Sequence, residues 1–299
     1  MKVFYSDTHD LNLPVGHRFP GRKYVMLRKL LIEERIIPEN WLTSSPILSV
    51  DDILIAHDAD YVEAMESGTI DPSAMRRIGL PWSPTIPVRA RATAGGALAA
   101  AREALGEGIS GQLAGGTHHA HAGFGAGYCV YNDFAIAALM LLKEKTVSRI
   151  AIIDLDVHQG DGNAAILGSR SDVFILSVQG AKNFPFRKVA ATLDVDLPDN
   201  IGDEEYLAAL EPALEQVWRF EPDLILYQAG VDPLEFDRLG RMALSYEGLK
   251  ARDESVLRGA KDRNIAVSMA IGGGYADPIE QTVRAYANTW CVAREVHGW

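Results

Sequence analysis

The chain has 299 residues, 47% of them apolar, enough to bury one large core in a single domain spanning 1–299. Acids outnumber bases 40 to 29, for a net charge of −11, which excludes the basic footprint of a phosphate-backbone binder but leaves a cationic substrate open. Two cysteines, Cys129 and Cys291, are too few for a disulfide framework. The start MKVFYSDTHD lacks a signal-peptide pattern, and the apolar run Phe134 to Leu142 is too short for a bilayer, so a soluble cytoplasmic protein is expected.

No internal repeat, low-complexity tract or linker interrupts the chain. The first eighty residues are irregular in pattern, with one helix predicted near Lys23–Glu34, and the Pro-rich LPWSPTIP (80–87) reads as a loop. A helical pattern, ALAAAREAL (97–105), then leads through GQLAGG (111–116) into Thr117, His118 and His119. A second helix, DFAIAALMLLKEK (133–145), precedes the apolar runs SRIAIIDLD (148–156) and DVFILSV (172–178). The helix DEEYLAALEPALEQVWRF (203–220) opens on three acids suited to a helix N-terminus. PDLILYQAG (222–230), the helix SYEGLKARDESVLRGAKD (245–262) and NIAVSMAIGGG (264–274) complete the series. Short runs that are apolar throughout suit strands buried on both faces, and their alternation with amphipathic helices predicts a doubly wound, mostly parallel α/β sheet with helices on both faces.

In such sheets ligands bind beyond the carboxyl ends of the strands. The polar residues fall there. Asp154, Asp156, His158 and Asp161 follow one strand, Asp232 follows another, Tyr275 ends the triple glycine after a third, and Ser177 closes DVFIL. Asp156 and His158 are two apart, so in extended chain both side chains point to one side. With Asp232 they offer two carboxylates and an imidazole to a divalent borderline ion, leaving a position open for water. On the string DLDVH alone, helix capping by the aspartates explains as much. The pair His118–His119 is costly to bury without partners, and beside a metal it makes an acid–base device backed by Asp154 and Asp161. His121 reads as structural. The glycines around the pair, Gly127 among them, allow close backbone approach to a substrate. Tyr275 is either a core aromatic or a donor to a developing oxyanion.

The strings LAGGTHHAHAGFGAGYCVYND, IIDLDVHQGDGN, AGVDPLEFDRLG and IGGGY, in that order, resemble the histone deacetylase family of the arginase/deacetylase superfamily. NFPFRK (183–188) and DPLEFDRLG (232–240), and also the N-terminal YSDTHDLNLPVGHRFPGRKY, look closest to class IV members and their bacterial relatives. The resemblance implies the arginase/deacetylase fold and a zinc-dependent amidohydrolase acting on acyl-lysine in a protein or peptide, or on a small acylated amine. Zinc, or ferrous iron in its place, would be held by Asp156, His158 and Asp232. His118 and His119 would be the catalytic pair, His119 the general base and acid, and Tyr275 the oxyanion donor. Asp154 and Asp161 would stand behind the pair. A structural K⁺ or Na⁺ site would use Asp154, Asp156, His158, Ser177 and Val178. Tyr128, Phe184 and Gly127 would wall the acyl-lysine tunnel, Leu239 would lie near its floor, and Arg22 would be an arginine behind the metal that guides acetate release. The family's usual Ser-x-His is here Ser177-Val178-Gln179, and Gly79 stands where class I members carry a rim aspartate. Acetylpolyamine deacetylation, an arginase-like two-metal ureohydrolase and a non-catalytic acyl-lysine binder are the rival readings, and oligomeric state is left open.

Overall fold

The computed structural model describes residues 1–14 and 16–299. The strands β1 (Val3–Tyr5), β2 (Leu42–Ser44), β3 (Ile109–Gln112), β4 (Ile150–Asp154), β5 (Val173–Gly180), β6 (Leu193–Leu197), β7 (Leu224–Gln228) and β8 (Ala266–Ala270) form one sheet in the order β2-β1-β3-β8-β7-β4-β5-β6. Every ladder is parallel, so the expected mostly parallel sheet is parallel throughout among the described residues. The helices are α1 (Lys23–Glu33), α2 (Val50–Ile53), α3 (Ala59–Ser67), α4 (Pro72–Ile78), α5 (Thr85–Glu107), α6 (Asp133–Lys143), α7 (Asp161–Leu167), α8 (Asp203–Phe220), α9 (Tyr246–Asp262) and α10 (Glu280–His297). They cover both faces of the sheet, and none is long and apolar enough to cross a membrane.

The central strands read as expected. All five residues of β4, β7 and β8 are buried, as strands sandwiched between helix layers must be. Burying each Ile of β4 contributes about 1.5–3 kcal/mol relative to leaving it in water. Two expectations need correction. Among the described residues the first eighty hold two strands and four α-helices, not one helix. LPWSPTIP is not all loop, because α5 begins at Thr85, with Pro84 and Pro87 in the first turn, where a missing N–H costs no hydrogen bond. The acids opening α8 do more than complement its dipole. Asp203 accepts from the backbone N–H of Ser245 at 2.8 Å and from its hydroxyl at 2.6 Å, fixing the start of α9.

Strands β3, β8, β7, β4 and β5 are consecutive neighbours in the sheet. Each sends its C-terminal end to the same edge, so segments far apart in sequence leave the sheet side by side. The polar strings of the sequence all lie on these five exits.

Candidate active site

Asp156 and His158 follow β4, and Asp232 follows β7, the strand hydrogen-bonded beside it. The three are brought together, with ligand atoms all within 4.8 Å of one another. His158 Nδ1 lies 3.1 Å from Asp156 Oδ1 and 3.1 Å from Asp232 Oδ2. The carboxylates are fixed from behind by backbone N–H groups. Gly273 donates to Asp156 Oδ2 at 2.7 Å, and Val157 donates to Asp232 Oδ1 at 2.9 Å. Both are buried. Burial, and then the charge of Asp156, pushes the Asp232 carboxyl up to about 7. Two buried carboxylates held face to face across an imidazole are the donor set of a divalent cation, and they fit zinc by residue type and by convergence.

The loop after β3 carries the histidine pair. His118 Nδ1–H donates to Asp154 Oδ2 at 2.8 Å, and His119 Nδ1–H donates to Asp161 Oδ1 at 2.7 Å. The rings lie 4.0 Å apart, so they share one field while each has its own carboxylate. Burial opposes protonation of His118, but Asp154 and Asp156 outweigh it and raise the ring to about 9. Burial, and then the charge of His118, presses His119 down to about 4. Two residues of one type, adjacent in sequence, are thus driven to opposite protonation states. Asp161 also takes a bond from His121 Nε2 at 2.9 Å. Burial pushes its carboxyl up, yet the two histidines hold it well below the usual range. His121 therefore helps to fix the His119 partner.

The loop itself is tied down by Asp133, the first residue of α6. Asp133 accepts from the backbone N–H groups of Gly116 and Thr117, each at 2.9 Å. Gly127 shows why a glycine is needed beside the pair: its φ is +52°, and a Cβ there would lie 2.5 Å from His119 Cδ2.

A cavity of about 550 Å³ opens over these residues, lined by His118, His119, Asp156, His158, Asp232 and Tyr275 at its base and by Gly127, Tyr128 and Phe184 on its walls. Phe184 stands edge-on to His119 at 4.9 Å, and Tyr128 packs on Phe19 at 5.0 Å, so Phe19 is a wall residue the motif strings do not include. Leu239 lines the cavity but is 43% exposed, so it lies at the mouth and not at the floor.

Tyr275 follows β8 and sits beside Tyr128, ring centroids 5.9 Å apart. Its backbone N–H donates to Asp237 Oδ2 at 2.6 Å, while Asp237 Oδ1 accepts from Leu239 at 2.8 Å and Gly240 at 2.9 Å. Asp237 thus joins the loop after β7 to the loop that carries Tyr275.

Arg22 is not behind the metal ligands. Its side chain is 69% exposed and meets Glu280 at 4.0 Å. The buried cation is the next residue, Lys23, whose Nζ donates to the Gly274 carbonyl at 3.2 Å and lies 4.9 Å from the Tyr275 ring. Burial lowers it to about 8 against the pull of Asp232, Asp237 and Asp156. Asp154 pairs in register with Ser177, whose hydroxyl is buried without a hydrogen-bond partner among the described residues, and Val178 follows it in the buried strand β5. An orphaned oxygen beside a carboxylate is what a monovalent-cation site would leave. Gln179, in place of histidine, bonds to Asp194 at 3.2 Å and Asp196 at 3.0 Å and so belongs to the β5–β6 edge. Arg252 Nη1, fully buried, donates to the carbonyls of Leu155 at 3.2 Å and Gly230 at 2.6 Å, bracing the backbone just before both metal-ligand segments.

The family model of the histone deacetylase domain matches residues 17–292. An uncharacterised protein of Picosynechococcus sp. is 38% identical over 296 residues, covering 99% of each chain. Histone deacetylase 2 of Arabidopsis thaliana is 30% identical over 305 residues, covering 95% of this chain and 79% of its own. Among solved structures, an HDAC homologue complexed with SAHA is similar over 100% of this chain and 84% of its own, with a TM-score of 0.83 and 26% identity.

Proposed function

The chain belongs to the histone deacetylase family and is a deacetylase hydrolase, and from that premise we propose that it hydrolyses N-ε-acyl-lysine in a single catalytic domain spanning 1–299. The observation that carries the reading is the convergence of Asp156, His158 and Asp232 with a histidine pair, each ring on its own carboxylate, at the base of one cavity. These three residues would hold zinc, for which the family is known, or ferrous iron, and the ion when bound supplies Lewis-acid polarisation of the acyl carbonyl and acidification of water.

The chain's own residues supply the rest. His119, neutral and with Nε2 free of Asp161, accepts the proton of the attacking water as the new C–O bond forms. His118, held cationic by Asp154, keeps the field at the reacting carbon positive. The Tyr275 hydroxyl donates to the oxyanion. His119 then returns its proton to the lysine nitrogen as the C–N bond breaks, releasing carboxylic acid and amine. Tyr128, Phe184 and Gly127 exclude water from the acyl-lysine stem. A K⁺ or Na⁺ ion between Asp154, Ser177 and the carbonyls of Asp156, His158 and Val178 would lock the β4 and β5 exits, a reading supported by the orphaned Ser177 hydroxyl.

Acyl groups longer than acetyl belong to the same proposal. A second cavity of about 1220 Å³ adjoins the first through Phe19, Tyr24, Tyr128, Arg238, Leu239 and Tyr275, but its lining mixes Leu11, Leu13 and Val25 with Asp7, Asp10, Arg18 and Arg89, so the reading for longer chains rests on the likeness of NFPFRK (183–188) to class IV members and not on an apolar chamber. A panel of acyl-lysine peptides of graded chain length, with acetylpolyamines alongside, tests the reading. Turnover of acetyl- and longer acyl-lysine, abolished by chelation, is expected. A zinc-loaded protein that cleaves only acetylpolyamines moves the substrate to the small amines, and one that cleaves nothing overturns the enzyme assignment.

A further inference from the structure

Which acyl-lysines reach the reacting atoms depends on the mouth of the cavity. The chain is acidic, with 40 carboxylates against 29 bases. Yet among the described residues the only carboxylates lining the cavity are Asp156 and Asp232, deep at its base, while Arg77, Lys182, Arg238 and Arg241 ring its opening. These cations come from three separate segments, the end of α4 and the loops after β5 and β7, so they face an incoming chain from different sides.

Among the described residues their counter-ions only half neutralise them. Arg241 meets Asp199 at 2.6 Å and Lys182 meets the same carboxylate at 3.4 Å, while Arg238 meets Asp277 at 3.4 Å. Four cations less two carboxylates leave a charge of +2. At the two Asp199 contacts the carboxylate is 18% exposed against 72% for Lys182 and 51% for Arg241, so the positive end lies outermost there, whereas at the third Asp277 is 71% exposed against 59% for Arg238. Arg77 stacks over the Phe124 ring at 4.8 Å. No acid can replace Gly79 on the rim without disturbance, since its φ is +83° and a Cβ would lie 3.0 Å from the Tyr128 ring.

We propose, resting on the deacylase reading, that this cationic mouth selects acyl-lysines flanked by aspartate and glutamate, and disfavours the basic flanks of a histone-like tail. A low-dielectric cleft ringed by one sign of charge focuses its field on the approaching ligand, raising the on-rate for the opposite sign and repelling its own. Because the groups are exposed, the effect is one of encounter and is screened by salt over about a Debye length.

The test is kcat/KM of the zinc-loaded enzyme on three acetyl-lysine peptides that differ only in flanks: acidic, uncharged and basic. At low salt the acidic peptide should exceed the basic one by about tenfold or more, and the gap should shrink toward unity in molar salt. Arg77→Glu, and separately Lys182→Glu with Arg241→Glu, should lower the acidic rate and raise the basic one while sparing the uncharged peptide. The two variants lie on different segments, so loss of folding in one leaves the other as the test. Equal rates, or preference for the basic peptide, overturn the charge proposal and leave deacylation standing. Turnover of none overturns both.

Discussion

Asp237 is the residue whose replacement most directly probes how Tyr275 is placed. Its carboxylate accepts three backbone N–H groups, Leu239 and Gly240 on one oxygen and Tyr275 on the other. Asp237→Asn keeps the size and one acceptor oxygen but turns an N–H₂ toward one of the two loops. Keeping the pair of bonds to Leu239 and Gly240 sacrifices the one to Tyr275, so this is the loop that is freed. A hydrogen bond to a charged group contributes about 1.5–3 kcal/mol. If that amount separates the placed from the displaced tyrosine, the rate falls roughly ten- to a hundredfold, since about 1.4 kcal/mol is a factor of ten. The loss cannot exceed that from removing the hydroxyl altogether. Steady-state kinetics on an acyl-lysine peptide should therefore show kcat reduced with KM little changed and zinc content intact. The decisive comparison is the double variant. In a Tyr275→Phe background, Asp237→Asn should cost almost nothing more, because the group it positions is gone. Equal losses in both backgrounds, or loss of the metal, would refute a role exerted through the tyrosine.

Tyr275→Phe by itself should lower kcat by about a hundred- to a thousandfold without releasing the metal, and a near-normal kcat returns the residue to simple packing. Zinc should raise the melting temperature by several degrees, because it relieves two buried carboxylates held around His158, and Asp232→Asn should abolish that increment in a calorimetric scan. His57 gives a pH dependence of stability. Its Nδ1–H faces the Ala122 carbonyl at 3.2 Å and its Nε2 accepts from the Asn132 N–H at 2.9 Å, and burial lowers its pKa to about 4. The folded state thus favours the neutral ring. The contribution is complete above the unfolded pKa near 6.5 and is lost as pH falls toward 4. Between pH 7 and 5 this ring should cost the wild type about 2 kcal/mol that His57→Gln does not lose, and parallel denaturation curves for the two would contradict it.

What the chain order alone determined was local. Apolar runs of three or four residues announced β4, β5, β7 and β8, and helical periodicity bounded α8 at Asp203 and Phe220, because burial on both faces and amphipathicity are written in consecutive residues. Asp156 and His158 were legible as a pair because a spacing of two fixes their common side. The short strands β1 and β2 carried no such signal, since three residues are too few for a pattern to emerge. The tertiary structure decided whatever depended on which segments lie side by side. Lys23, and not Arg22, points inward because one residue turns a helix by about 100° and only the packing of α1 says which face is buried. Leu239 lies at the mouth because Asp237 folds its loop there. The links from Asp237 to Tyr275, from Arg252 to the carbonyls before the metal ligands, and the gathering of Arg77, Lys182, Arg238 and Arg241 around one opening join residues from tens to over a hundred and fifty positions apart. Their proximity follows from the order of strands in the sheet, which no run of neighbouring residues encodes.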